Sequence, residues 1–299
     1  MSTATGSRQR YGAAALAVTA MISVQTGAAV STWLFDSAGP TGTAWLRLAW
    51  GAIFLLIWAR PRLTRYSAGD LGSALALGVV SATLTICYFQ AIARIPLGTA
   101  SALEYLGPLT VAVVGLRRRI DVLWPVAAGG GVLLLTQPWT SSMDPVGVAF
   151  ALGAGAALGL YVVLTQRVGD RFAGMDGLAL AVTVAAICAG VLGVPEAMPA
   201  LSVEVLLGSA VVALLLPVLP YALEMMALRR LTSSAFSTLM SVEPAAALLI
   251  GLALLIQVPG PGELAGIALV VLAGIGAVRS GHRQHHPDPE PTRDGVNTG

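Results

Sequence analysis

The sequence predicts an all-α polytopic membrane protein, and its composition and pattern both favour this fold class. The chain has 299 residues, of which 56% are hydrophobic and only 11% are charged, whereas about a quarter of the residues in a typical soluble domain are charged. The apolar residues occur in long runs separated by short polar or Pro/Gly breaks. These runs are too long for the strands of a membrane β-barrel and lack their alternation, so they indicate helices.

Ten apolar runs are each close to the length that a helix needs to cross a bilayer. We therefore predict ten transmembrane helices, the first of them an uncleaved helix rather than a signal peptide. Residues 1–10 would form a cytoplasmic N-terminal segment, and residues 280–299 a polar, Pro-rich cytoplasmic tail that we expect to be disordered. The runs are 11–34, 41–59, 71–93, 97–116, 122–137, 145–166, 177–195, 203–228, 233–256 and 261–279.

The basic residues are distributed very unevenly between the two sides of this predicted bundle. All 17 are arginine. With the N-terminus in the cytoplasm, only Arg94 falls on the outer side and Arg47 lies inside the second run, while every other arginine falls on the cytoplasmic side. This asymmetry follows the positive-inside rule and predicts an even number of spans with both termini in the cytoplasm.

A comparison of the sequence with itself indicates an internal repeat. Shifting the chain by 136 positions aligns residues 91–109 with 227–245 without a gap, with identities that include Arg94/Arg230, Ser101/Ser237 and Pro108/Pro244. Because five helices per half is an odd number, the second copy would lie upside down in the membrane. We predict two inverted five-helix repeats, at residues 11–137 and 138–279.

Four ionisable residues interrupt the apolar runs, at a cost of about 2.5–3.5 kcal/mol for each charge at a helix centre. They are Arg47, Glu104, Glu224 and Glu243. One interpretation is structural, with Arg47 locked in an ion pair with one glutamate. The other is functional: the carboxylates line a water-filled cavity and exchange protons or bind a substrate ammonium, while the arginine binds a substrate carboxylate through its planar fork.

Prolines follow or flank these carboxylates and predict breaks in the helices that carry them. A proline removes one backbone hydrogen bond and can expose carbonyl groups to a cavity. The predicted helix-breaking positions are Pro108, Pro244, Pro217 and Pro220.

Other polar residues in the same runs are weaker candidates for the site, because each is also typical of an interface anchor or an interhelical hydrogen bond. Tyr88 carries more weight, since the shift of 136 places it opposite Glu224. The pairs Gly155/Gly159 and Gly262/Gly266 indicate close helix packing rather than binding. The weaker candidates are Gln25, Gln90, Tyr105, Tyr161, Tyr221 and Ser237.

Sequence signatures of enzymes are missing from the chain. It contains no HExxH, GxSxG or P-loop motif and no Cys/His spacing typical of metal sites. We therefore expect no catalytic residue, metal or cofactor, and no nucleic-acid partner. A channel remains a rival class, because channels also use buried glutamates.

Several segments resemble a known family. SVQTGAAVSTWLF (23–35), WLRLAWGAI (45–53), IPLGTASALEYLGPL (95–109) and LPYALEMMALRRLTSSAFSTLMSVEPAAALLIG (219–251) are similar to the bacterial threonine/homoserine exporters, EamA-domain members of the drug/metabolite transporter superfamily. The resemblance implies a ten-helix carrier in the bacterial cytoplasmic (inner) membrane that exports small amino acids by proton antiport.

The resemblance also implies where the site lies. It places Glu104, Glu224, Glu243, Arg47 and Gln25 in or beside a central cavity formed by helices one to four and six to nine. The partners would be an amino-acid substrate, protons and the lipid bilayer. Other members of the superfamily move aromatic amino acids, purines or drugs, so export of another metabolite and uncoupled facilitated transport both remain open.

Overall fold

Helices make up every regular element of the chain within the residues that the structure describes. The structure is a computed structural model, and it describes residues 3–114, 122–137, 143–172, 175–220, 223, 226 and 240–282. The all-helical class expected from the sequence is confirmed over this part of the chain.

Within the described residues, the first half of the chain contributes seven helices. A 3₁₀ turn at Thr32–Leu34 joins the first two, and another at Leu63–Arg65 precedes the fourth. The helices are α1 (Thr3–Ser31), α2 (Phe35–Ala38), α3 (Pro40–Ala59), α4 (Ala68–Ile92), α5 (Leu97–Glu104), α6 (Leu106–Val114) and α7 (Leu123–Thr136).

The second half contributes five more helices within the described residues. A π-helical turn at Leu214–Val218 follows the third of them directly. The helices are α8 (Pro145–Arg171), α9 (Asp176–Ala197), α10 (Val203–Ala213), α11 (Glu243–Leu255) and α12 (Pro261–His282).

Local sequence explains where several helices begin. Ser67 and Asp70 form a capping box at the start of α4, and the side chains of Asp144 and Ser202 accept hydrogen bonds from the first turns of α8 and α10. Gly39, at φ 68°, allows the sharp turn between α2 and α3 that other residues resist. These caps stabilise helix ends at the membrane boundaries.

Two pairs of helices that lie 136 positions apart pack against each other. α3 and α9 begin at Pro40 and Asp176 and lie along one another, and α7 packs along α12 in the same way. α5 packs on α11. The two halves of the chain therefore interlock instead of forming separate units.

The connections between helices lie on two opposite faces of the bundle. On one face, Arg171 contacts Asp70 and donates to the carbonyl of Gly69, and the Tyr66 hydroxyl donates to Asp176. We call this the arginine face, because Arg60, Arg62, Arg65 and Arg171 lie there at the ends of α3 and α8.

The opposite face carries other polar contacts. Arg94 lies 3.7 Å from Asp144, and the Gly42 N–H donates to Glu196. Of the described arginines that lie at helix ends, Arg94 is the one on this opposite face. The contacts agree with the uneven arginine distribution, although they do not say which face is cytoplasmic.

Six of the described helices are long and apolar enough to cross a membrane, and α7, α10 and α11 are shorter apolar helices. Large apolar side chains such as Ile187, Val191 and Leu192 on α9 are exposed, as expected for a surface in contact with lipid. Three predicted boundaries need correction. The first helix starts at Thr3, inside the segment expected to precede it, α2 extends the first span to Ala38, and α12 continues to His282, beyond the expected start of the disordered tail.

Two of the predicted spans are broken, each close to a proline. The expected helix at 97–116 divides into α5 and α6 at Tyr105, and the expected helix at 203–228 is interrupted at Leu216, whose φ of −157° and ψ of 94° are extended. Proline disfavours helical geometry in the residue before it, which explains the break ahead of Pro217. Pro108 and Pro244 each lie in the first turn of a new helix, where proline is tolerated.

Candidate functional site

Two carboxylates from different halves of the chain meet near the centre of the bundle. Glu104 is the last residue of α5, and Glu243 is the first residue of α11. Both side chains are half-buried, and each carboxylate lies in the electrostatic field of the other. The packing of α5 on α11 brings them together.

Gln25 of α1 holds Glu243. Its amide nitrogen donates to the Glu243 carboxylate at 3.1 Å and to the Ser101 hydroxyl at 3.3 Å, and its oxygen accepts from the Tyr88 hydroxyl at 3.4 Å. Gln25 is only 1% exposed. Because a buried amide is costly unless it is paired, this hydrogen-bonded network fixes the position of Glu243.

Arg47 of α3 lies beside Glu104 without forming an ion pair to a carboxylate within the described residues. Its Nε donates to the Leu216 carbonyl at 2.8 Å, and its Nη1 donates to the Thr85 hydroxyl at 3.3 Å. The guanidinium also stacks over Phe89, with Cζ 5.7 Å from the ring centroid. The structural interpretation of Arg47 as one half of a locked ion pair finds no partner in this part of the chain.

The break after α10 supplies the carbonyl that Arg47 uses. In a regular helix the Leu216 carbonyl would accept from residue 220, but Pro220 has no N–H to donate. The π-helical turn also pairs the Leu219 N–H with Leu214, leaving the Leu215 carbonyl to accept from the Ser23 hydroxyl at 2.9 Å. Side chains from α1 and α3 therefore bind the carbonyls of Leu215 and Leu216 at this break.

Glu104 has no side-chain hydrogen bond within the described part of the chain, in contrast to Glu243. Its surroundings are set by a close helix crossing. A Cβ atom added to Gly155 of α8 would lie 2.9 Å from the Glu104 carbonyl and 3.0 Å from that of Leu103. Gly107 of α6 meets Gly155 and Gly159 equally closely, so the predicted packing role of this glycine pair is confirmed.

One hydrogen bond joins equivalent positions of the two copies of the predicted repeat. The Tyr105 hydroxyl donates to the Ser241 hydroxyl at 2.9 Å, and these residues are 136 positions apart. A residue that contacts its own repeat partner lies at the axis relating the two copies, as in a symmetric dimer. Tyr105 thus lies beside the carboxylates, at the junction of the halves.

The remaining predicted residues are the other candidates for the site and the second glycine pair, for which we predict packing rather than binding. Tyr161 of α8 lies within the electrostatic reach of Arg47, whereas Gln90 donates to Thr41 and contacts Arg94 at the opposite face. Gly262 and Gly266 pack against α7, as expected. Glu224, Tyr221 and Ser237 lie outside the described residues.

Sequence reasoning did not single out every residue that the structure brings to the site. Thr85 and Phe89 contact Arg47, and Ser23 contacts the broken helix. Thr85, Tyr88 and Phe89 lie three and four positions apart on α4, a spacing that places them on one helix face and was available in the sequence. Ser23 precedes Gln25 on the same helix.

The assembled site has binding partners for both charged groups of a zwitterion. Within the described residues, Leu216 and Thr85 use two of the five N–H groups of Arg47, which leaves three for a bound carboxylate. Glu104 and Glu243 can accept hydrogen bonds from an ammonium group. No group of three His, Cys, Asp or Glu side chains that could hold a metal ion occurs within the described residues.

Comparison with known proteins agrees with these features. A model of the EamA-like transporter family matches residues 12–133 and 145–279. The threonine/homoserine exporter RhtA of Escherichia coli is 37% identical over 263 residues, covering 86% of this chain and 88% of the relative. The exporter of the same name from Salmonella typhimurium is 37% identical over 266 residues and covers 88% of each chain.

Two further matches are more distant. The pseudopaline exporter CntI of Pseudomonas aeruginosa is 31% identical over 127 residues, which is 40% of this chain and 45% of the relative. One crystal structure superimposes with a TM-score of 0.58 at 19% identity, covering 91% of this chain and 98% of that chain. This last likeness concerns the fold alone.

Proposed function

The chain belongs to the EamA-like transporter family, and from this premise we propose that it exports small amino acids such as threonine and homoserine by alternating access coupled to proton antiport. The observation that carries this proposal is the convergence of Arg47, Glu104 and Glu243 at the centre of an apolar bundle. The relatives that match most of this chain are threonine/homoserine exporters.

The charges at the site suit an amino acid. Arg47 keeps unused donors for a carboxylate, and its planar guanidinium can bind one through two parallel hydrogen bonds. Glu104 lies in the electrostatic field of Arg47, and its carboxylate can accept hydrogen bonds from the substrate ammonium group. Hydroxyl groups of Thr85 and Ser101 lie next to these two residues and offer partners for a substrate hydroxyl.

The carboxylate pair supports proton coupling. Two carboxylates that face each other away from bulk water cannot both be ionised cheaply, so one proton shared between them lowers the cost. Glu243 is already held by Gln25. We therefore assign the exchangeable proton to Glu104 and expect substrate and proton to compete for this carboxylate.

The packing supports two inverted repeats, at residues 11–137 and 138–279, comprising ten spans in all. Two pairs of helices separated by 136 positions, α3 with α9 and α7 with α12, pack against one another, and Tyr105 contacts its own counterpart Ser241. Repeats of this kind move against each other around a substrate site near the midplane. The broken helices at Tyr105 and Leu216 lie at this site, which gives the backbone places to bend.

We further propose that the protein lies in the bacterial inner membrane with both termini in the cytoplasm. Under this topology the arginine face is cytoplasmic, as the positive-inside rule requires. Single cysteines at Arg62 and Arg94, placed in a chain without Cys87 and Cys188, should react with an impermeant thiol reagent from opposite sides. Labelling of both from the same side of intact cells would contradict the topology.

A transport assay tests the function. Purified protein in liposomes should catalyse counterflow of labelled threonine and homoserine, and an imposed pH gradient should drive their accumulation. Counterflow that saturates but never leads to gradient-driven accumulation would indicate an uncoupled facilitator. Flux without saturation or counterflow would indicate a channel.

Competition by unlabelled compounds in the same assay tests the substrate class. Unlabelled competitors that include aromatic amino acids, purines and larger metabolites should inhibit threonine counterflow less than homoserine does. The partial match to a pseudopaline exporter makes larger metabolites the relevant alternative. Stronger inhibition by any of them would shift the assignment to that substrate while leaving the export mechanism in place.

A further inference from the structure

A basic cleft at the arginine face is separate from the central site. It lies where α3 ends and α9 begins, and its volume is about 580 Å³. Its walls are formed by Trp58, Ala59, Arg60, Arg62, Arg65, Met175 and Asp176. Nothing in the transport mechanism above uses these residues.

No described residue neutralises the positive charge of this cleft. Arg60, Arg62 and Arg65 are exposed, and within the described residues no carboxylate lies within 4.0 Å of their guanidinium groups. The one acid in the wall, Asp176, accepts the Tyr66 hydroxyl at 2.7 Å. Arg171, which lies on the same face but outside the cleft, is by contrast paired with Asp70.

The backbone places the three arginines around the cleft. Arg60 ends α3 in the left-handed conformation, with φ 49° and ψ 56°, and Pro61 then turns the chain away from the helix axis. Arg62 precedes the 3₁₀ turn that follows and Arg65 ends it, and the Arg65 N–H donates to the Arg62 carbonyl. The charges are thus spread along a short, structured loop rather than along a flexible segment.

The edge of the cleft is apolar and exposed. Trp58 is 58% exposed and Ile57 is 64% exposed at the end of α3, on a helix long and apolar enough to span a membrane. Tryptophan at such a position typically lies at the level of the lipid headgroups. A ligand in the cleft would therefore have its charged part among the arginines and its apolar part beside Trp58.

We propose that this cleft binds the phosphodiester headgroup of an anionic phospholipid. Arginine forms bidentate hydrogen bonds with phosphate oxygens, and basic pockets beside transmembrane helices at a positively charged face bind anionic headgroups. The acyl chains would lie along Ile57 and Trp58 on the outer surface of α3. This site requires only that the chain lies in a bilayer, so it does not depend on the transported substrate.

Quenching of Trp58 fluorescence by brominated lipids tests this site directly. The protein is reconstituted in phosphatidylcholine vesicles with rising fractions of phosphatidylglycerol or phosphatidylcholine that carries bromine on its acyl chains. The Trp58 signal is the difference between the wild type and Trp58→Phe. Brominated phosphatidylglycerol should quench this signal at a lower mole fraction than brominated phosphatidylcholine, by about fivefold for each arginine that contributes.

Charge-matched variants distinguish lipid binding in the cleft from a general electrostatic attraction of anionic lipids to the arginine face. Arg62→Gln should weaken the preference for phosphatidylglycerol, and Arg62→Gln with Arg65→Gln should abolish it. Arg167→Gln removes one charge from an exposed position of α8 on the same face and should leave the preference unchanged. An equal loss in Arg167→Gln would show that only the overall charge attracts the lipid and would overturn the proposal.

Two other results would also contradict it. Equal quenching by the two brominated lipids in the wild type would mean that the cleft does not select an anionic headgroup. Loss of the preference on addition of inorganic phosphate at constant ionic strength would mean that the cleft binds a free anion instead. Because fluorescence is read without transport, failure here is distinct from failure of the proposed export function.

Discussion

Glu104 and Glu243 lie on the two sides of the central site, and the fold holds them in opposite ways. Glu243 begins α11, where the positive end of the helix dipole favours a negative charge, and it accepts a hydrogen bond from Gln25. Glu104 ends α5, where the dipole disfavours a negative charge, and within the described residues its side chain accepts no hydrogen bond.

The position of each proline explains this difference. Glu243 directly precedes Pro244, so the helix restarts at the carboxylate itself. Glu104 lies four positions before Pro108, so the helix ends at the carboxylate and restarts after Tyr105. One type of break therefore produces two different carboxylates. Gln25 holds Glu243 in place, whereas the Glu104 side chain has no hydrogen bond within the described residues.

The largest effect is expected for Glu104→Gln. The amide keeps the size of the side chain but cannot titrate, so accumulation driven by a pH gradient should fall to the level of empty liposomes. Exchange of labelled for unlabelled threonine, which needs no net proton movement, should continue. Both activities are measured in the same proteoliposome preparation.

Two outcomes would change the assignment of Glu104. Loss of accumulation and exchange together, in a protein that elutes normally in gel filtration, would indicate that substrate binding itself requires the negative charge of Glu104. Unchanged accumulation with the same pH dependence would show that the proton is carried elsewhere, with Glu243 or Glu224 as the next candidates.

Arg47→Lys should have the second largest effect, and it acts on the Glu104 side of the site. Lysine keeps the charge but loses the planar fork, so at least one charge-assisted hydrogen bond to the substrate carboxylate is lost, which corresponds to a rise in KM of about tenfold. Initial rates of homoserine counterflow over a range of concentrations give the KM.

The control for Arg47→Lys is Arg167→Lys, since Arg167 is exposed on the arginine face. It should leave the KM unchanged. An Arg47→Lys protein with the KM of the wild type would mean that Arg47 only supports the broken helix through the Leu216 carbonyl.

Glu243→Gln should have a smaller effect than either of these changes. The Gln25 amide can still donate to the new side chain, but a neutral hydrogen bond is about half as strong as a charge-assisted one, so this bond is weakened by about 1 kcal/mol. Gradient-driven accumulation should persist at a reduced rate in the same liposome assay. Complete loss of accumulation in Glu243→Gln, with Glu104→Gln still active, would reverse the roles assigned to the two carboxylates.

The smallest effect on transport is expected from Gly155→Ala, which acts on the Glu104 side through packing alone. The new Cβ would meet the Glu104 and Leu103 carbonyls at 2.9 and 3.0 Å, and overpacking of this kind costs about 1–3 kcal/mol. Thermal unfolding in detergent should show a lower Tm.

Gly129→Ala in α7 is the matched control, since no atom lies within 4 Å of the added Cβ. Its Tm should be unchanged or slightly higher, because alanine favours the helix more than glycine does. Equal Tm values for the two variants would mean that α8 can move away from α5 without cost and that the crossing does not fix the break at Glu104.

The site was only partly predictable from the sequence. Arg47, Glu104, Glu243 and Gln25 stand out because a polar group in an apolar run is costly, and this cost depends on the run alone. Their partners do not stand out in the same way. A threonine hydroxyl and a backbone carbonyl occur throughout any sequence. Thr85 and the Leu216 carbonyl accept hydrogen bonds from Arg47 only because α3, α4 and the broken helix pack together.

The sequence by itself determined the helical class and most helix boundaries. Apolar run length, caps such as Ser67 and Asp144, and prolines act through neighbouring residues, so their effects can be read along the chain. α3, for example, runs from Pro40 to Ala59, within one residue of the predicted run at 41–59.

Only the tertiary structure decided how the two carboxylates differ. The sequence places both glutamates just before prolines, but whether each one ends or begins a helix depends on where the chain can break without losing contacts. The crossing of Gly107 over Gly155 and the contact of Tyr105 with Ser241 fix the first break. These contacts join residues far apart in the chain, because packing energy depends on distance in space rather than on position in the sequence.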